Sequence, residues 1–156
     1  MRSKSSSPTR LALVKVDVLN GVNLDVLERR DPATYGGISL NDLETQIYAW
    51  AKELGCTARC RQTNNEGDYV AWCHDALDWA NGVIVNPGAW SHYSYAIRDA
   101  LELLTVPIVE VHLSNPEERE DWRRHSVVAD LAAKRVLGKG ADGYREALAY
   151  LIEEAT

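Results

Sequence analysis

The apolar positions of this chain follow two periods, and the switch between them marks out the elements. Leu11–Leu19 (LALVKVDVL) is an aliphatic, β-branched run that stops at Asn20-Gly21, which predicts a strand. From residue 39 the period becomes helical. Leu40, Leu43, Ile47, Trp50 with Ala51, and Leu54 form one stripe, with Ser39 as cap, Asp42 in the first turn and Gly55 as the stop. Strand-like runs return at CTARCRQ (56–62), GVIVN (82–86), PIVEVHLSN (107–115) and, more weakly, KRVLG (134–138). Helices are expected from about Asp68 to Trp79, after the turn NPGAW as far as Leu104, and over Tyr144–Glu154. PEEREDWRRH (116–125) opens with proline and two acids, as a short helix would.

Five strands alternating with helices predict an α/β fold: an open five-stranded parallel sheet with helices on both faces, in a flavodoxin-like order. The polar residues sharpen this picture. Asn20 and Asn23, Gln62 and Asn64, Asn86, and His112 with Ser114 each fall just past the carboxyl end of a predicted strand. Those ends share one edge of such a sheet, and ligands bind there. The loop ERRDPATYGG (28–37) leaves the first strand on the same rim.

At 156 residues the chain has the size of one domain. The polar, serine-rich opening MRSKSSSPTR (1–10) is expected to be a disordered tail, with a single catalytic domain over 11–156. A net charge of −6 argues against nucleic acid as a partner. Three cysteines cannot all pair and no signal-like apolar run is present, which points to a reduced, cytoplasmic setting. No apolar stretch reaches the ~18 residues needed to span a bilayer. The cysteine and histidine spacing does not fit zinc, and no glycine-rich nucleotide motif or nucleophile elbow is present.

Four features carry candidate chemistry. His112 closes an apolar strand, with Glu110 two residues earlier on the same face to polarise its ring. The amides of Leu113 and Ser114 follow where that strand breaks, a place suited to a carboxylate. Arg119 and Arg123, spaced to share a helix face, form a cationic strip with Arg124; Arg29 and Arg30 join it from the 28–37 loop. An arginine beside Tyr35 makes its phenol proton easier to remove. His92, near an expected helix start, suits a neutral imidazole, and Trp90 in the turn before it is expected to border the pocket. Plainer readings exist for three of them: a solvated turn at 28–37, a surface or capping histidine at 92, a salt-bridged helix face at 119–124. Tyrosine and histidine for proton transfer, with asparagines and arginines for orientation, suit proton abstraction beside a carbonyl followed by loss of a leaving group.

NGVNLDVLERRDPATYGG, RQTNNEG, VNPGAWSHYSYAIRDAL, VEVHLSNPEEREDWRRHS and GADGYREAL occur in an order and spacing that resembles the type II 3-dehydroquinate dehydratases, from about Leu11 to Leu151. The resemblance implies a flavodoxin-like subunit in a dodecamer built of trimers. It also implies dehydration of 3-dehydroquinate to 3-dehydroshikimate through an enolate, with no cofactor and no metal. Tyr35 matches the base at C2, Arg30 the lid arginine that favours its phenolate, and His112 the acid that protonates the C1 hydroxyl. Asn23 matches the asparagine that holds a water at the enolate oxygen. Asn86, His92 and Arg123 match groups that bind substrate hydroxyls, and the Leu113 and Ser114 amides a carboxylate site. Asp99 matches an aspartate that reaches into a neighbouring subunit's site, and Arg119 a further arginine near the pocket. Val22, Asp25, Glu28, Leu103 and the segment VVADLAAKR (127–135) depart from the family pattern and bear on lid movement, packing and assembly. A non-catalytic anion-binding relative, or a lyase for a related cyclic hydroxy-keto acid, are the alternatives.

Overall fold

The computed structural model describes residues 13–155, so the expected tail over 1–10 lies outside the described residues. Five strands form one parallel sheet: β1 (Val14–Asn20), β2 (Cys56–Gln62), β3 (Gly82–Asn86), β4 (Ile108–His112) and β5 (Lys134–Leu137). Their order is β2-β1-β3-β4-β5, the flavodoxin-like order expected from the alternation of elements. The helices are α1 (Pro32–Tyr35), α2 (Leu40–Leu54), α3 (Glu66–Trp79), α4 (Tyr95–Glu102) and α5 (Asp142–Ala155).

Alternation along the central strands feeds two apolar layers. Val16 and Val18 of β1, Ile84 of β3, and Val109 and Val111 of β4 pack with Leu43 and Ile47 of α2 and Leu148 of α5. Leu19, Val83 and Val85 point the other way, onto Tyr69 and Cys73 of α3 and Ile97 and Leu101 of α4. The α2 stripe forms as its sequence predicts. Ser39 Oγ accepts the Asp42 N–H at 3.0 Å, and Gly55 takes a left-handed φ of 82° to end the helix.

Three local expectations change. Helix α3 starts at Glu66, because the Asn65 side chain caps it through the Asp68 N–H. After β3 the chain first makes a 3-10 turn, Gly88–His92, and α4 begins only at Tyr95, where Ser94 caps it through the Ile97 N–H. His92 is therefore not at a helix N-terminus. PEEREDWRRH is not one helix but two 3-10 turns, Pro116–Glu118 and Asp121–Arg123, separated by an extended Arg119. With no apolar stripe to pack, nothing holds a continuous helix there. Arg119 and Arg123 do not share a helix face; the kinked loop sends both to the sheet rim instead.

Candidate active site

The carboxyl ends of β1, β3 and β4 surround a cavity of ≈ 230 Å³. Asn20 and Asn86 stand opposite each other in the β1–β3 register, and the chain turns sharply after each. Those turns touch backbone to backbone. A Cβ on Gly21 would lie 2.3 Å from the Pro87 carbonyl oxygen, and one on Gly88, whose φ is +63°, 2.7 Å from that of Val22. Only glycine permits this approach. It brings Val22, Asn23 and Leu24 from one turn and Gly88, Ala89 and His92 from the other to the same cavity.

Above the cavity sits the 28–37 loop. Asp31 caps the single turn of α1, accepting from the Ala33 N–H and the Thr34 hydroxyl, with Pro32 at the first helical position and Gly36 left-handed at the end. This places Tyr35 on the last helical position and lining the cavity. Its phenol oxygen accepts from Arg119 Nη1 at 2.7 Å, and the Arg30 guanidinium lies 4.0 Å from its ring centroid. Arg30 contacts the ring face, so Arg119 is the arginine at the oxygen. Burial lowers the Arg30 pKa from its ordinary value, aided by Arg123 and Arg119, while Tyr35 opposes the shift.

Across the cavity His112 ends β4. Its Nε2 lies 2.7 Å from Glu110 Oε2, which leaves Nδ1 for the cavity the ring borders. Glu110 is fully buried and also accepts from Ser126 Oγ at 2.8 Å and Arg135 Nε at 2.7 Å. Burial alone would raise the Glu110 pKa; His112 and Arg135 outweigh it and bring the carboxyl down to about 2. A carboxylate that is ionised at neutral pH thus backs the imidazole. The bend after His112 is pinned by the Gly140 and Gly138 amides donating to the Leu113 and Ser114 carbonyls at 3.1 and 3.0 Å.

His92 Nδ1 donates to the His125 carbonyl at 2.8 Å, since that oxygen can only accept, so Nε2 is its free nitrogen. Its pKa is lowered, first by burial and then by the cationic surroundings of His112 and Arg123, against the pull of the His125 carbonyl. A neutral imidazole follows, as expected, but by burial rather than by a helix dipole. Asn23 has a left-handed backbone (φ 69°), held by its N–H donating to Asn64 Oδ1 at 2.8 Å. Asn64 Nδ2 in turn donates to Asp25 at 2.9 Å. Gln62 Nε2 donates to both Asn64 Oδ1 and the Gly21 carbonyl, so the polar end of β2 holds the Asn23 turn. Among the described residues, no three His, Cys, Asp or Glu side chains gather as a metal site requires.

Residues 14–152 match the class II dehydroquinase family. The chain belongs to that family. A 3-dehydroquinate dehydratase of Halalkalibacterium halodurans is 46% identical over 87% of this chain and 94% of its own length. One from Syntrophotalea carbinolica is 48% identical over 83% and 88%. In three dimensions the type II dehydroquinase of Propionibacterium acnes superposes with a TM-score of 0.86, at 40% identity, covering 92% of this chain and 99% of that one.

Within this class II dehydroquinase, Asn23, Arg30, Tyr35, Asn86, His92 and His112 line one cavity, and Leu113, Ser114, Arg119 and Arg123 border it too. Asp99 does not. It lies on the exposed side of α4, beside Ala96 and Leu103 in a separate shallow pocket. Trp90 is also displaced from its expected place: it is buried in the second apolar layer, edge-on to Tyr69 at 5.7 Å. The tryptophan at the cavity is Trp122, whose ring lies edge-on to His92 at 5.2 Å and under Arg123 at 4.1 Å. An isolated aromatic in the polar run PEEREDWRRH was its one sequence signal. Asp25, a departure from the family pattern, serves as the acceptor that completes the Asn23 turn.

Proposed function

We propose that the chain is a 3-dehydroquinate dehydratase that converts 3-dehydroquinate to 3-dehydroshikimate without a cofactor. The observation that carries this reading is the pairing across one cavity of Tyr35, with Arg119 at its oxygen, and His112, with Glu110 behind it. The names carried by its relatives supply the substrate.

In this reading Tyr35, as phenolate, takes a proton from C2 beside the ketone, and the electron pair moves onto the carbonyl oxygen as an enolate. A phenolate there has one guanidinium at its oxygen and another on its ring face. Asn23 holds a water against the enolate oxygen, a donor placed where charge develops. His112, protonated at Nδ1, gives that proton to the C1 hydroxyl. The C–O bond breaks, the enolate collapses to a conjugated enone, and water leaves. The fixed carboxylate of Glu110 complements the imidazolium before transfer. Arg123, His92 and Asn86 bind substrate hydroxyls, while the Leu113 and Ser114 amides meet the substrate carboxylate.

Asp99 completes the site from a neighbouring subunit, which requires a homo-oligomer; the proposed assembly is a dodecamer built of trimers, working in the cytoplasm. Mixing purified protein with 3-dehydroquinate should give a rise in ultraviolet absorbance as the enone forms. Assembled protein that leaves the absorbance flat would overturn the reading.

A further inference from the structure

Beneath the cavity floor runs a polar chain that neither the proton-transfer groups nor the apolar layers explain. Tyr144, in the first turn of α5, is fully buried among the aliphatic residues of one layer. Its hydroxyl donates to Asn20 Oδ1 at 2.7 Å and accepts from Asn86 Nδ2 at 2.9 Å. Asn20 and Asn86, also buried, are the terminal residues of β1 and β3 and face each other across the sheet. Of the three, only Asn86 borders the cavity.

The polarity of this chain is determined. Two directions are available in principle, because turning both amides over would send the hydroxyl proton to Asn86 instead. The Gly88 N–H decides between them: it donates to Asn86 Oδ1 at 3.2 Å, so Nδ2 must face Tyr144. The Tyr144 oxygen then accepts from Asn86, and its proton goes to Asn20. One group is left over, since Asn20 Nδ2 is buried with no hydrogen-bond partner among the described residues. A buried unpaired donor is costly and calls for a reason. A phenylalanine at 144 and apolar strand ends would fill the same space without it.

We propose that Tyr144 is a positioning residue that acts through Asn86, with Asn20 as its anchor: the Gly88 N–H holds the oxygen end of the Asn86 amide and the relay holds its nitrogen end, which together fix the direction in which the amide meets a substrate hydroxyl. The proposal rests on the dehydratase reading for its substrate. One N–H and one lone pair of the Asn86 amide remain for the cavity, in a fixed arrangement. Without the phenol oxygen, Asn86 Nδ2 loses its partner and the amide is held only by the Gly88 N–H at its oxygen, so it can swing about that contact and misdirect its remaining N–H and lone pair.

A double-mutant cycle on kcat/KM tests this. Tyr144→Phe should lower kcat/KM about 10-fold in the wild-type background, the effect of losing one well-made hydrogen bond. In an Asn86→Ala background it should change kcat/KM less than about two-fold. An equal loss in both backgrounds would mean that Tyr144 merely supports the fold, and the proposal fails. If Tyr144→Phe does not fold, Asn20→Ala replaces it in the same cycle with the same two outcomes. A readout independent of turnover is the side-chain amide signal of Asn86 in nitrogen-15 spectra, assigned by its loss in Asn86→Ala. Its protons should exchange slowly in the wild type and measurably faster in Tyr144→Phe or Asn20→Ala. Unchanged exchange overturns the proposal. Slow exchange in a protein inert toward 3-dehydroquinate would sink the dehydratase reading alone.

Discussion

In the proposed mechanism the chemistry turns on which cation touches the Tyr35 oxygen. Arg30 is closer in sequence, yet it lies on the ring face, while Arg119 reaches the oxygen from 84 residues away. Replacing Arg119 by alanine should therefore lower kcat about 100-fold, the scale of removing one charge-stabilising donor. Arg119→Lys should recover only part of this, because an ammonium on a shorter stem does not reproduce the position of Nη1, which contacts both the phenol and Ser114 Oγ. Steady-state kinetics read both; an Arg119→Ala enzyme at full kcat would return the role to Arg30. Glu110 makes a second prediction, through pH. Its folded pKa of about 2 lies below the ordinary 4.5, so its stabilisation is complete above pH 4.5 and is lost as pH falls toward 2. The full effect is on the order of 3 kcal/mol. Urea unfolding of wild type and Glu110→Gln should show stabilities that converge as pH drops below 4.5; a constant difference would mean that Glu110 is not held ionised.

At the scale of elements, the site depends on two turns in backbone contact and one short helical lid. Gly21→Ala cannot be absorbed by a side-chain shift, since its neighbour is the Pro87 backbone. It should cost at least about 2 kcal/mol of stability, and equilibrium unfolding checks this. Ser39→Ala removes only a cap from α2 and should cost about 1 kcal/mol. These positions also show what the chain's pattern revealed. The α2 stripe, its cap and its stop were legible because apolar period and capping chemistry agree there. So were the ends of β1, β3 and β4, since each switches abruptly from aliphatic to polar residues. The 116–125 segment was not: proline and acids signal a helix start, but whether a helix continues depends on packing that only the tertiary structure supplies. Trp90 departed from its expected place for the same reason: that the turn after β3 buries its tryptophan in the second apolar layer is a matter of packing.

The molecule as a whole works by bringing distant segments to one edge. Parallel strands in the order β2-β1-β3-β4-β5 deliver Asn23, Asn86 and His112 to a common rim, and the loops that follow add Tyr35, Arg119 and Arg123. That convergence could be anticipated from polar residues at strand ends; the supporting contacts of Tyr144, Ser126 and Arg135 could not, because each pairs with a residue far off in sequence. Asp99 belongs to this scale too. It lies on an exposed face of α4 with Tyr95 and Leu103, two large apolar side chains in solvent, a surface suited to a subunit contact. Asp99→Ala should lower kcat/KM at least about 10-fold with the subunit fold unchanged by circular dichroism. A fully active Asp99→Ala protein would show that each subunit's site is complete alone. The division of labour between Tyr35 and His112 is tested most directly by proton exchange at C2 of 3-dehydroquinate, followed by NMR in D2O. His112→Ala should wash out the C2 proton while forming no enone, and Tyr35→Phe should do neither. A Tyr35→Phe enzyme that exchanges the C2 proton as fast as His112→Ala would contradict the assignment of Tyr35 as the base.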